Sequence, residues 1–115
     1  DAAFDKSIRN YFETDVTAAA NGEYDMLRTS PEGTLTLAIL LDQFPRNLYR
    51  GSSQAFANDA LALEIAKDAL KNRFDSGLGK TRRIFLYLPF EHSENLDDQD
   101  LAVRLFKVLK DQIAI

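Results

Sequence analysis

Residues 35–44 are the segment that most constrains the fold, because they are apolar on nearly every side of a helix. The run follows Ser30-Pro31-Glu32, where a hydroxyl side chain, a proline and an acid together are typical of a helix start. A helix without a polar face has to be surrounded by other helices. The sequence therefore predicts a central helix that ends or kinks at Pro45, which lacks a backbone donor.

Four other segments repeat their apolar residues every three or four positions, as amphipathic helices do. The first of these helices is predicted to end near Asn21-Gly22, and the second to run from a cap at Ser52 or Ser53 to Phe74. The third is predicted to start near Lys80 and lead into Pro89, and the last to begin at residues 95–98. Each helix is predicted to bury one stripe of apolar residues. In the same order, the stripes are Phe4, Ile8, Tyr11, Phe12 and Val16; Phe56, Ala60, Leu63, Ala66, Leu70 and Phe74; Ile84, Phe85, Tyr87 and Leu88; and Leu101, Leu105, Val108, Leu109 and Ile113. No segment alternates with period two for long enough to predict a strand. We therefore expect an all-α fold with about five helices.

An internal repeat follows from this layout. A shift of 40 residues lays residues 60–67 over residues 100–107 with apolar residues matched at five positions, and a shift of 44 lays Phe44-Pro45 over Leu88-Pro89. Any two amphipathic helices share a period, but here the prolines agree as well. Two helices per unit and a period near 40 are the pattern of helical-repeat solenoids. This predicts a right-handed array of antiparallel helix pairs, similar to tetratricopeptide repeats, in one domain of residues 1–115.

A dense polar cluster follows an apolar run at two places. The first motif is Leu40-Leu41-Asp42-Gln43-Phe44-Pro45-Arg46-Asn47, and the second motif is Tyr87-Leu88-Pro89-Phe90-Glu91-His92-Ser93-Glu94, which holds the chain's single histidine. Polar groups this dense beside apolar segments indicate that something other than packing constrains both motifs.

The first motif has a structural and a functional interpretation. Asp42 near the end of a helix opposes the helix dipole, and Arg46 is the nearest compensating cation, so an Asp42–Arg46 pair with Asn47 bonding the final carbonyls would explain the cluster. Alternatively, Asp42, Gln43, Arg46 and Asn47 form one wall of a binding groove, where a planar guanidinium would suit a carboxylate or phosphate ligand. Asn58-Asp59 on the next helix are expected to hydrogen-bond this segment.

The second motif has three interpretations. Histidine can act as a general base or a metal ligand, and neighbouring carboxylates can orient it. If the helix continues through its proline, Glu91 and Glu94 share a face and His92 points away from them, so a divalent ion would need a ligand from another helix, such as Asp42. A polar-ligand site and a structural network that caps the last helix are the alternatives. Arg83 could turn toward Glu91 or Asp42.

Both motifs, together with Ala55-Phe56-Ala57-Asn58-Asp59, resemble the hallmark motifs of DUF924, a family of bacterial proteins of unknown function with relatives in some eukaryotes. The resemblance covers essentially the whole chain and implies an all-α fold like that of tetratricopeptide repeats, with no established activity. Family members usually begin with a tryptophan-rich segment before the position of Asp1 and continue beyond Ile115 into another helical stretch. The resemblance therefore implies a domain that is incomplete at both ends.

Composition excludes several classes of function. A net charge of -4 argues against a general binder of nucleic acids or anionic membranes, which needs a basic surface. No apolar run approaches the roughly 18–20 residues that a transmembrane helix needs. The absence of cysteine excludes disulfides, thiolate nucleophiles and cysteine–zinc sites and permits a reducing compartment, so a cytoplasmic location is favoured.

These observations lead to three functional hypotheses. The first is a binding or scaffold module that holds a small polar molecule, or a peptide or protein partner, in a groove formed by Asp42, Gln43, Arg46, Asn47, Glu91, His92 and Glu94. The second is a hydrolytic or metal-dependent enzyme that uses His92 with Asp42 or Glu91. The third is a structural subunit of a larger assembly, which an exposed apolar first helix would favour. No cofactor or metal site is assigned, and the oligomeric state stays open.

Overall fold

The computed structural model describes residues 2–113, apart from the side chains of residues 2, 4–9, 11 and 113. The α-helices are α1 (Ala2–Ala20), α2 (Pro31–Ala38), α3 (Phe44–Leu48), α4 (Asp59–Lys71), α5 (Lys80–Glu91) and α6 (Leu96–Ile113). A π-turn (Ile39–Gln43) joins α2 to α3 without a break, and 3-10 turns cover Asp25–Thr29, Ser53–Phe56 and Phe74–Gly77. The segments α2, π-turn and α3 form one continuous helix, which we call the central helix. The chain therefore has five long helices and, over the described residues, no strand, which confirms the all-α prediction.

The start of the central helix is as predicted from its sequence. The Ser30 hydroxyl accepts a hydrogen bond from the backbone N–H of Gly33 at 3.0 Å, and Pro31 occupies the first turn. A Cβ atom on Gly33 would lie 1.9 Å from the carbonyl oxygen of Leu27, so glycine is required for the preceding 3-10 turn to pack against α2.

The central helix lies in the middle of the fold, as its apolar surface predicts. Leu37, Leu40 and Leu41 pack with α1 and α4, and Leu35 and Ala38 pack with α4, α5 and α6. One helix thus contributes to two parts of the core on opposite sides. Residues 92–95 form the whole connection between α5 and α6, so these helices pack as an antiparallel pair.

Neither proline ends its helix, so of the two outcomes expected at Pro45, a helix end or a kink, the helix end is wrong. In an α-helix the Pro45 ring would crowd the carbonyl group of Leu41 and remove a hydrogen bond. The π-turn widens the helix just before this point, and the backbone N–H of Phe44 donates to the carbonyl of Ile39. Pro89 instead lies inside α5, which is α-helical through to Glu91. The surroundings of the two prolines therefore differ, and the predicted repeat of helix pairs stays a prediction.

The predicted start of α4, at Ser52 or Ser53, was wrong. Ser52 caps the 3-10 turn Ser53–Phe56 by accepting a hydrogen bond from Gln54 N at 3.2 Å, and α4 begins only at Asp59. Because that turn points Phe56 outward, its side chain is 59% exposed rather than part of a buried stripe. The buried face of α4 consists of Ile65 and three alanines, Ala62, Ala66 and Ala69, whose small side chains let neighbouring helices approach closely.

Other stripe predictions have mixed outcomes. Phe12 and Val16 of α1 pack in the core as expected, and Leu109 of α6 is buried. Val108 is exposed, and so are Ala60 and Phe85. The side chains of Phe4, Ile8, Tyr11 and Ile113 lie outside the described residues. None of the helices within residues 2–113 is long and apolar enough to cross a membrane.

Candidate functional site

Asp42 is the residue at which the two motifs meet. It lies in the π-turn with only 1% of its surface exposed. One of its carboxylate oxygens, Oδ1, accepts a hydrogen bond from Arg46 Nη1 at 2.9 Å and contacts His92 Nδ1 at 2.8 Å. Arg46 is one turn further along the central helix, whereas His92 follows the last residue of α5, which packs against that helix. A single buried carboxylate therefore joins the first motif to the second.

Arg46 is bound to two carboxylates. Besides the contact with Asp42 Oδ1, Nη1 donates to the Asp42 carbonyl at 3.2 Å, and Nη1 and Nη2 donate to the two carboxylate oxygens of Asp59 at 2.8 and 3.0 Å. The guanidinium carbon also lies 5.2 Å from the centre of the Phe56 ring. The hydrogen bond to Asp59 and the charges of both carboxylates raise the pKa of Arg46 against the opposing effect of burial. The guanidinium therefore stays charged, and its Nη1 and Nη2 groups donate hydrogen bonds to oxygens of the protein itself.

The contact with Asp42 fixes the protonation pattern of the His92 ring. An ionised carboxylate only accepts hydrogen bonds, so Nδ1 has to carry the hydrogen. In the neutral ring Nε2 then has an unshared electron pair. The His92 side chain is 24% exposed and lines a cleft, so the ring presents a proton acceptor at the protein surface.

Asp42 has a second oxygen, Oδ2, that is buried and has no hydrogen-bond partner among the described residues. A buried polar atom without a partner costs free energy, so it requires an explanation.

The cleft beside this cluster has a volume of about 580 Å³, within the range usual for sites that bind small molecules. Its polar side is formed by Arg46, Asp59, His92, Ser93 and Glu94. Its apolar side includes Phe56, Leu63 and Pro89. A ligand there would therefore meet both hydrogen-bonding groups and an apolar wall.

The remainder of the second motif caps α6. The Ser93 hydroxyl donates to Asp98 Oδ2 at 2.9 Å and accepts from the backbone N–H of Asn95 at 3.1 Å. The Asn95 side chain accepts from the backbone N–H groups of Asp97 and Asp98. The capping interpretation thus applies to Ser93 and the residues after it, whereas His92 turns toward Asp42. Ser93 donates its hydroxyl hydrogen away from His92, so these two residues do not form a nucleophile–base pair.

The structure does not bring every predicted site residue to the cleft. Gln43 is half-buried and Asn47 is exposed, and neither lines the cleft. Glu91 lines a separate groove between α5 and α6. The predicted shared face of Glu91 and Glu94 was wrong, because α5 ends at Glu91. Arg83 donates to the Leu78 carbonyl and to the Gln112 side chain, not to Asp42 or Glu91.

Sequence reasoning missed two members of this site. Asp59 was expected to bond the first motif but was not counted among the ligand-binding residues. Phe56 was assigned to a buried stripe, although it lies beside Arg46 at the cleft. Both belong to the segment 55–59 that contributed to the family resemblance, which is the signal that pointed to them. Within residues 2–113, no three carboxylate or imidazole groups are arranged to hold a metal ion.

Comparison with known proteins agrees with the resemblance seen in the motifs. The model of a family described as bacterial protein of unknown function (DUF924) matches residues 1–114. The chain belongs to the DUF924 family. A protein of unknown function from Agrobacterium tumefaciens, ATU0120, has a similar solved structure, with 39% sequence identity and a TM-score of 0.88.

The match to the Agrobacterium structure extends over 95% of this chain but only 62% of that relative's chain, so this chain spans less than two thirds of the relative's length. No curated protein matches. The comparisons establish the family and the all-α fold without naming an activity. The function of this DUF924 domain therefore has to be argued from its own site.

Proposed function

We propose that this DUF924 domain is a binding module that holds a small polar ligand in the cleft between the first and second motifs. The observation that supports this most strongly is the contact of Arg46 and His92 with one oxygen of Asp42. This contact places residues from both motifs on the polar side of one cleft. The predicted array of helix pairs would serve as the rigid scaffold that holds the two motifs in register.

The charges at the cleft favour a neutral or positively charged ligand. The carboxylates of Asp42 and Asp59 bind the guanidinium of Arg46, and the carboxylate of Glu94 lines the same cleft. The Nη1 group and one Nη2 hydrogen of Arg46 are already directed at Asp42 and Asp59, so fewer donors remain for a carboxylate or phosphate. We therefore propose a ligand with hydroxyl or amino groups in place of the anion that the sequence first indicated for Arg46.

The shape of the cleft favours a compact ligand over an extended peptide. Glu91 and Asn47, which would have lengthened a continuous groove, do not line the cleft. The exposed Phe56 ring and Leu63 offer an apolar wall beside the polar groups. The face of a sugar ring or a short aliphatic stem would pack there, with its polar groups toward His92 and Glu94.

A titration followed by NMR tests this proposal with three small probes of different charge: glucose, butylamine and acetate. We expect glucose or butylamine to give saturable shifts at Phe56, His92 and Glu94, and acetate to give none there. Phe56→Ala should weaken the binding by about tenfold, which corresponds to a contribution of roughly 1.4 kcal/mol from the ring. Val103→Ala, which alters an exposed residue in the groove between α5 and α6, is the control.

Two results would contradict the proposal. One is a lack of saturable shifts in the cleft with all three probes. The other is binding that Phe56→Ala leaves unchanged and Val103→Ala removes. The His92–Asp42 contact, which supports the binding site, also favours the enzyme hypothesis, because it leaves one nitrogen of His92 at the cleft. The hypothesis of a structural subunit depended on the first helix, where the side chains of residues 4–9 lie outside the described part of the chain.

A further inference from the structure

We infer that the cleft carries acid–base chemistry, in which His92 is the general base, acting through Nε2 on a hydroxyl of the bound ligand or on a water molecule beside it. Asp42 is the positioning residue that orients the ring. This inference rests on the proposed function, because a base in the cleft needs a ligand on which to act.

The direction of one hydrogen bond supports the assignment of roles. Arg46 Nη1 donates to Asp42 Oδ1, so this carboxylate oxygen is a hydrogen-bond acceptor. The 2.8 Å contact therefore requires a hydrogen on His92 Nδ1 and leaves Nε2 as the basic atom. The ring lines the cleft, and Nε2 has no hydrogen-bond partner among the described residues, so it is available to a ligand.

The burial of Asp42 supports the proton transfer itself. When Nε2 accepts a proton, the imidazole becomes a cation beside a carboxylate that is almost completely shielded from water. The Arg46 guanidinium offsets part of that negative charge at Oδ1, whereas Asp42 Oδ2 has no partner within the described residues. The attraction between imidazolium and carboxylate is stronger in such surroundings than in water.

The step is balanced without another reagent. The O–H bond of the ligand or water breaks, its electron pair stays on oxygen, and the proton forms a new bond to Nε2. The deprotonated oxygen then forms a bond to the carbonyl carbon of an ester, the bond from that carbon to the ester's leaving oxygen breaks, and the imidazolium returns the proton to that leaving oxygen. Since Ser93 donates its hydroxyl hydrogen to Asp98, the nucleophile has to come from the ligand or from water.

A purely structural role for His92 predicts different surroundings. Tyr87 shows what a structural polar side chain looks like here: it is 4% exposed and donates its hydroxyl hydrogen to Asp75 at 2.8 Å. Burial, followed by this hydrogen bond, raises the pKa of Tyr87, so the phenol stays neutral. His92 instead has one nitrogen bound inside the protein and its other edge at a cleft.

The single histidine makes the inference directly testable. In the first measurement, the chain is labelled with ¹⁵N-histidine and the neutral tautomer is read from long-range ¹H–¹⁵N correlations. We expect hydrogen on Nδ1 and none on Nε2. A neutral ring with hydrogen on Nε2 would overturn the inference.

The second measurement uses p-nitrophenyl acetate as a general probe of base and nucleophile chemistry. We expect His92→Gln to lower kcat by about tenfold or more, a modest part of the 10²–10⁴-fold that general bases contribute to their own reactions. Asp42→Asn should lower kcat with little change in KM, because the residue acts through His92. Glu91→Gln changes an exposed carboxylate next in sequence and serves as the control.

Equal rates for wild type and His92→Gln would overturn the inference. If Asp42→Asn does not fold, the tautomer of the wild-type protein and the His92→Gln rate still decide it. Failure of this inference is separable from failure of the proposed function. Probe binding in the cleft with hydrogen on Nε2 contradicts the base alone, whereas loss of rate in His92→Gln without binding of glucose or butylamine contradicts the proposed ligand class.

Discussion

The first and second motifs have the same layout in sequence but differ in how their polar groups are used. In the first motif, Asp42 is buried and Arg46 donates hydrogen bonds to Asp42 and Asp59. In the second motif, Ser93 caps α6 and His92 keeps one edge at the cleft. The polar groups of the first motif are therefore bound within the fold, and we call Asp42 and Arg46 the anchor. The second motif carries His92, the group that can act on a ligand. Similar sequence patterns thus predict where a site lies better than they predict what each residue does there.

The largest effect on stability should come from removing the cation of the anchor. Arg46→Ala leaves Asp42 buried with only His92 as a side-chain partner, and breaking a buried pair in this way costs about 3–5 kcal/mol. We expect a loss near the lower limit, about 3 kcal/mol, because His92 remains. Chemical denaturation measures it. Arg82→Ala removes an exposed arginine and should change stability by no more than about 0.5 kcal/mol.

A loss of less than about 1 kcal/mol in Arg46→Ala would place this ion pair among ordinary surface pairs. Asp42 and Arg46 would then not be an anchor, and the contrast between the motifs would fail.

The second motif should contribute less to stability than the first. His92→Ala removes the hydrogen bond to Asp42 but leaves the Asp42–Arg46 pair, so we expect a loss of about 1.5 kcal/mol, the lower limit for a hydrogen bond to a charged group. Equilibrium unfolding in urea compares the two variants. A His92→Ala loss greater than the Arg46→Ala loss would reverse the proposed roles.

The capping part of the second motif should be separable from His92. Asn95→Ala removes the side-chain acceptor for two backbone N–H groups at the start of α6, which costs about 1 kcal/mol. The His92 NMR signals should stay unchanged. Asn72→Ala at an exposed position serves as the matched asparagine control. A shift of the His92 signals in Asn95→Ala would show that capping and cleft are one network.

The smallest expected effect is on the pH dependence of stability, which should come from Tyr87 of α5 and not from the anchor. The folded state raises the pKa of Tyr87 through burial and the bond to Asp75, so it binds this proton more tightly than the unfolded chain does. The stabilisation is complete below the unfolded pKa of about 10 and declines as pH rises above it, with about 0.4 kcal/mol already lost at pH 10. Tyr87→Phe should remove this part of the pH dependence. Arg46, whose pKa is also raised, keeps its charge throughout this range.

An unchanged alkaline decline in Tyr87→Phe would assign the decline to other groups. Tyr24 is one such group, since its hydrogen bond to Asp15 also raises its pKa.

The parts of this structure that depend on local sequence were predictable. The central helix follows from its apolar residues, and the Asp42–Arg46 pair follows from their spacing of one helical turn. The contact between Asp42 and His92 joins residues 50 apart, and it depends on how α5 packs against the central helix. The π-turn before Pro45 makes room for the proline within a helix that core packing holds in place. Phe56 was misassigned because periodicity cannot distinguish a 3-10 turn from the first turn of a helix.

A double-mutant cycle between Asp42 and His92 tests the central claim most directly. The unfolding free energies of wild type, Asp42→Asn, His92→Ala and the double variant give the coupling between the two motifs. If Asp42 joins them, we expect a coupling of about 1–2 kcal/mol, within the range for residues in direct contact. Losses that add to within about 0.3 kcal/mol would show that the two motifs are energetically independent and would contradict this account.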